Sequence, residues 1–211
     1  MVLGARNSFL IAFSVTILAG CIGILVGLIS GYFGGRVDNI IMRILDFYAM
    51  LPRLMFIIVL VSIIPRYNVV TFVLIMAIFG WVGDARLTRA KTLQQGSLDY
   101  VQASKTLGTG KFVIMFREVL PNIGSLIIVN LTLTLAANMG LETGLTFLGF
   151  GLPFNTPSLG TLISYAAVPE NMQRRPWQWL PAALLIVIMM LSINFVGQAV
   201  KRAADAKQRV D

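Results

Sequence analysis

The sequence predicts an all-α fold, a polytopic bundle of membrane helices. Three observations point there. Charged residues make up 12% of the chain and hydrophobic ones 57%, whereas soluble domains carry about 25% charge. Uncharged apolar runs reach the length of a membrane span. The basic residues collect in the short segments between those runs. At 211 residues the chain reads as one domain, 1–211.

A membrane helix needs about 20 mostly apolar residues. Five segments qualify: 8–30, 38–64, 69–87, 112–141 and 177–200. The first holds no charge from Ser8 to Ser30, too long for the core of a cleaved signal. Its Ala19, Gly23, Gly27 and Gly31 recur every four residues. Such a small-residue face admits another backbone closely, either a helix of the same chain or one of a second subunit.

Lysine and arginine set the orientation. Arg36, Arg43, Arg86, Arg89, Lys91, Lys105, Lys111, Arg117, Lys201, Arg202, Lys207 and Arg209 fall on one side of the five-span path, 12 of the 17 basic residues. Arg6, Arg66, Arg174 and Arg175 fall on the other. The richer side is expected to be cytoplasmic, which puts the N-terminus outside and the C-terminus inside. Trp177 and Trp179 suit an aromatic belt at the outer interface. The net charge of +8 therefore reads as membrane orientation, not nucleic-acid binding.

Composition narrows the chemistry. There is no histidine and one cysteine, Cys21, so an internal disulfide and the common zinc ligand sets are excluded. Gly108-Thr-Gly-Lys111 lacks the first glycine of a phosphate-binding loop, since Lys105 stands there, and Phe112 follows the lysine where Ser or Thr is needed. No catalytic residue, metal ligand or bound cofactor is expected.

The most informative segment is 96–122. Ser97 reads as an N-cap, Asp99 as a first-turn acid, Lys105 as a last-turn base and Gly108 as the stop of a short helix over about 98–108. A helix this short is marginal alone, so it must dock. Tyr100, Ala103, Ser104 and Leu107 share one face by spacing. The face could lie on the membrane surface or enter a partner's cleft.

Gln102-Ala103-Ser104, Gly108 and Leu120-Pro121 resemble the "EAA" loop of binding-protein-dependent ABC importer permeases, with Gln102 for Glu and Ser104 for the second Ala. Gln102 keeps the size of the glutamate and removes the charge that an ion pair there needs. Gly31-Tyr-Phe-Gly-Gly35, Leu51-Pro52, Gly80-Trp81, Ala85-Arg86-Leu87, Leu148-Gly-Phe-Gly151 and Thr156-Pro-Ser-Leu-Gly160 resemble the peptide and nickel branch of that family. Phe147–Leu152 and the tail Asn194–Gln198 through Arg202–Asp205 are most similar to its oligopeptide C-type subunits from Gram-positive bacteria.

The resemblance implies a five-span ABC importer permease core in a bacterial inner membrane, with the short helix as a cytoplasmic coupling helix. Tyr100, Gln102, Ala103, Ser104, Leu107, Gly108, Leu120 and Pro121 would engage an ATPase. It further implies a homologous second permease, two ATPases carrying ATP and Mg, an external substrate-binding lipoprotein, and alternating access without covalent chemistry by this chain. Dipeptide or nickel transport is the nearest alternative, and an ATPase-independent channel or secondary transporter the rival class. Family members usually begin with a further helix; this chain starts at Met1, just before the second helix of the family plan, so the core alone is expected.

Charged and polar groups within spans are costly and mark a path by default. Arg53, Asn130, Asn138 and Glu142 are the candidates. Arg53 lies about ten residues, roughly 15 Å, into its span. It and Glu142 are expected to meet water in the transport cavity. The two asparagines serve equally well as hydrogen bonds between helices. Arg43 and Asp46, three apart, are expected to form a local ion pair.

Overall fold

The computed structural model describes residues 1–65, 67–153 and 156–207, with side chains through 203. Arg66, Arg209 and Asp211, and the side chains of Asp205 and Lys207, lie outside the described residues. Among the described residues every regular element is helical. The α-helices are α1 Val2–Phe33, α2 Gly35–Met50, α3 Arg53–Ile63, α4 Val69–Gly80, α5 Val82–Gly96, α6 Asp99–Thr106, α7 Lys111–Val113, α8 Leu120–Phe147, α9 Leu159–Ile163, α10 Pro169–Arg174 and α11 Leu180–Lys207.

Among the described residues three helical stretches are long and apolar enough to cross a membrane: Val2–Phe33, Lys111–Phe147 and Leu180–Ala203. The expected spans 38–64 and 69–87 are each broken. The first divides at Leu51 and Pro52, both extended, with ψ of 126° and 95°. Proline lacks an N–H and disfavours helical backbone at the residue before it. The second divides at Trp81, and its polar part continues to Gly96 as α5. Counting each pair as one span gives up to five.

The stretch Lys111–Phe147 contains a π-helical turn, Ile114–Val119, immediately before Pro121. There the Leu120 N–H reaches back to the Met115 carbonyl. A proline ring clashes with the carbonyl four residues earlier, here Arg117. The widened turn accommodates the ring without ending the helix.

Contacts group the chain into two compact units. The unit formed by residues 1–18, 52–79 and 132–197 has a core of Ile11, Val15, Ile57, Phe72, Met76 and Leu145. A second cluster in this unit joins Ala12, Met139, Leu159, Ala182 and Ile186. Much of its apolar surface is nonetheless exposed, including Phe13, Leu74, Leu184, Ile188 and Phe195. Its buried residues include Ser8, Thr16, Asn138 and Glu142. Polar groups inside and large apolar groups outside is the arrangement that lipid requires.

The unit formed by residues 19–51, 80–131 and the chain from Gln198 is centred on Leu28, Val101, Ile114, Met115 and Val119. Here the small-residue face of α1 meets α5. A Cβ on Gly27 would stand 2.6 Å from the Ala85 carbonyl oxygen and 2.7 Å from Thr88. Gly23 and Gly31 meet the same helix. The stripe is therefore filled from within the chain.

Two ion pairs join α2 to α5 in this unit. Arg89 grips Asp38, and Arg86 reaches Asp46 at 2.9 Å. The expected Arg43–Asp46 pair is thus replaced by a partner 40 residues away, because α5 presents Arg86 to the polar side of α2.

Candidate functional site

The short helix predicted over 98–108 is α6, Asp99–Thr106, with Leu98 at its N-cap. Ser97 does not cap it: its hydroxyl donates to the Gln94 carbonyl at 2.9 Å, closing α5. Asp99 and Lys105 occupy the first and last turns, where each charge complements the helix dipole. Gly108 takes φ +80°. Its N–H donates to Lys105 O, and the Thr109 N–H donates to Ser104 O. These two bonds satisfy the end of the helix in the pattern that glycine favours.

Val101 anchors α6. It is fully buried in the Leu28–Ile114–Met115 cluster. The predicted docking face lies on other sides of the helix: Tyr100, Ala103 and Leu107 are exposed and Ser104 is half-buried. Leu107 is 85% exposed, an apolar side chain of this chain with no cover of its own.

Further bonds hold the segment. The Gln102 amide donates to Gly96 O at 2.6 Å, a bond that a glutamate could not donate. The Tyr100 hydroxyl donates to Gln95 Oε1 at 2.7 Å and accepts from the Asn122 amide at 3.3 Å. Burial chiefly, with the Glu118 charge, pushes the Tyr100 phenol up, against the pull of the Asn122 hydrogen bond. It stays a donor at neutral pH. Leu120 packs on the same cluster as Val101, and Pro121 is exposed.

Each of the four polar candidates in the spans has a hydrogen-bond partner. Arg53 Nη2 donates to Asn138 Oδ1 at 3.2 Å, and the Asn138 amide donates to Thr16 at 3.0 Å. Arg53 is half-buried and Asn138 buried. Asn130 donates to Asp84 at 2.5 Å.

Glu142 departs from expectation. It is 0% exposed, not bathed by a cavity. Thr146 donates to its Oε1 at 3.0 Å and Thr143 lies 3.3 Å from Oε2, while Ser8 and Ser158 also hydrogen-bond it. Hydroxyl donors surround the carboxyl, so burial leaves it satisfied. Through Ser158, which also caps α9, it ties α9 to α8. Among the described residues no three His, Cys, Asp or Glu side chains gather as metal ligands.

The family described as "Binding-protein-dependent transport system inner membrane component" matches residues 23–210. The chain belongs to that family. This permease is 53% identical over 208 residues to the oligopeptide transport system permease protein OppC of Lactococcus lactis subsp. cremoris strain SK11, covering 99% of this chain and 71% of the relative. OppC of Bacillus subtilis strain 168 is 36% identical over 206 residues, covering 98% and 67%. The peptidoglycan transport system permease protein YejE of Agrobacterium fabrum is 36% identical over 210 residues, covering 99% and 54%. Among solved structures, an inward-facing MetNI methionine ABC transporter chain matches with a TM-score of 0.76 at 18% identity, over 96% of this chain and 95% of that one. The last likeness bears on the fold alone.

The permease is thus a multi-pass membrane protein. Sequence reasoning missed Val101 as the anchor of α6, and it missed the Asp38–Arg89 and Asp84–Asn130 links. Their separations of 51 and 46 residues leave no local signal. Val101 had one, as the apolar residue of α6 outside the predicted face.

Proposed function

We propose that this permease imports peptides, driven by ATP that two partner ATPases hydrolyse with Mg. An external lipoprotein delivers the peptide to a cavity formed with a homologous second permease. Similarity to oligopeptide permeases along 99% of the chain supports the substrate class. The exposed Tyr100–Ala103–Leu107 face, held by buried Val101 and ended by Gly108, supports the drive. It is an apolar knob on a rigid mount, suited to enter a cleft on an ATPase. The basic-rich segments, α6 among them, then face the cytoplasm, with Met1 outside and Asp211 inside.

Arg53 and Asn138 are our assignment for the translocation path. A half-buried guanidinium within a span is kept only where water or a substrate carboxylate reaches it. Asn130 and Glu142 support the helices that line it. The test is reconstitution in proteoliposomes with the cognate lipoprotein and ATPases. Uptake of a labelled oligopeptide, dependent on ATP and on external lipoprotein, is expected. Uptake without ATPases would establish the channel or secondary-transporter reading, and uptake of nickel alone the metal reading.

A further inference from the structure

Where α1 ends, a cavity of about 340 Å³ is lined by Tyr32, Phe33, Lys105, Thr109 and Lys111. Two ammonium groups converge on it. Lys105 Nζ stands 5.5 Å from the Tyr32 ring centroid, and Lys111 Nζ 5.6 Å from that of Phe33. The neighbouring aromatics hold both lysines over the cavity. Among the described residues neither lysine forms a salt bridge. Glu118 acts on Tyr32 electrostatically, which still leaves a net positive charge. The cavity thus presents paired cations and a Thr109 hydroxyl.

We propose that this cavity binds a phosphate-bearing anion, the headgroup of an anionic phospholipid. The phosphate would sit between Lys105 and Lys111. The lipid source follows from the surroundings. The cavity lies at the end of a helix long and apolar enough to cross a membrane; Phe33, which lines it, is 40% exposed, and Phe112, next in sequence to its Lys111, is 65% exposed. Such a rim offers acyl chains apolar contact, whereas free phosphate has no use for it. Basic pockets beside spanning helices are suited to acidic headgroups. Lys105 is itself exposed but follows Val101 by four residues and so shares its side of α6, which separates the site from the Tyr100–Ala103–Leu107 face.

The test uses the full chain purified in a neutral detergent. Native mass spectrometry counts bound short-chain phosphatidylglycerol, phosphatidylcholine and inorganic phosphate. Phosphatidylglycerol is expected to bind about tenfold more tightly than phosphatidylcholine, a preference two lysines suffice to give. The Lys105→Gln/Lys111→Gln variant should lose that preference. The charge-matched Lys201→Gln/Arg202→Gln variant should keep it, and Lys105→Arg/Lys111→Arg should restore it. Equal loss in both glutamine variants, or in neither, would overturn the site. Displacement of phosphatidylglycerol by millimolar inorganic phosphate would overturn the lipid assignment in favour of free phosphate.

Discussion

Arg89 donates to both carboxylate oxygens of Asp38, at 2.5 Å from Nε and 2.6 Å from Nη2, while Ser30 donates to the same carboxylate at 2.5 Å. Three helices, α1, α2 and α5, thus meet on one acid. The side chains of Arg89 and Asp38 are only 26% and 12% exposed, so removal of one partner strands the other charge. Asp38→Ala should destabilise the unit by about 2–3 kcal/mol, below the usual cost of breaking a fully buried pair because Arg89 keeps some water. By contrast Asp46→Ala should cost under about 1 kcal/mol, since Arg86 and Asp46 are each 43% exposed. Thermal unfolding of both variants in detergent checks the order. A larger loss in Asp46→Ala would reverse the assignment.

The α1–α5 contact makes a second prediction. Gly27→Ala forces a Cβ to within 2.6 Å of the Ala85 carbonyl oxygen. Backbone cannot yield as a flexible side chain does, so the helices must part, at a cost of about 1–3 kcal/mol. Gly83→Ala meets nothing within 4 Å and serves as the control. It should be neutral or slightly stabilising, because alanine favours helix. The comparison is yield and melting temperature side by side. Equal behaviour of the two would mean the helices are not so closely packed.

Sequence patterning locates what is local. The apolar runs mark the spans because lipid leaves no other choice for uncharged segments of that length. Gly108 is legible because a helix that must stop needs a left-handed residue, and glycine takes it at least cost. The breaks at Pro52 and Trp81 were hidden by hydropathy, which averages across a kink. Asp46 shows the same limit: its nearest basic neighbour in sequence is Arg43, yet its partner is Arg86, supplied by packing. Glu142 was misread because a carboxyl in a span suggests water, while four hydroxyls from three chain segments could not be foreseen.

Arg53 and Asn138 carry the third prediction. Arg53→Leu removes the donor to Asn138 and the single charge that we place on the path. Uptake should fall by about tenfold or more, with assembly and ATPase association unchanged. Asn138→Leu should cost stability as well, because it also severs the bond to buried Thr16. Transport assays paired with size-exclusion profiles separate the two effects. Full uptake by Arg53→Leu would remove Arg53 from the path.

The last prediction concerns the drive. Gly108→Ala places a side chain at φ +80°, although no atom lies within 4 Å of the new Cβ. Its cost in the isolated permease is therefore backbone strain alone, about 1 kcal/mol. Ala103→Trp adds a large ring to an exposed position and should leave the permease itself stable, since nothing of this chain covers that face. Both variants should insert normally and accept peptide from the external lipoprotein. Ala103→Trp should nonetheless fail in uptake, because a helix that enters a close cleft cannot carry an indole at its centre. Val101→Ala makes the opposite case. It leaves the exposed face untouched but loosens its mount by about 1–3 kcal/mol, so ATPase should still bind while hydrolysis runs without uptake. Co-purification of the ATPases, hydrolysis rate and peptide uptake, measured together on these variants, resolve the three outcomes. Normal association and normal uptake by Ala103→Trp would mean that α6 is a surface linker and that force enters the permease elsewhere.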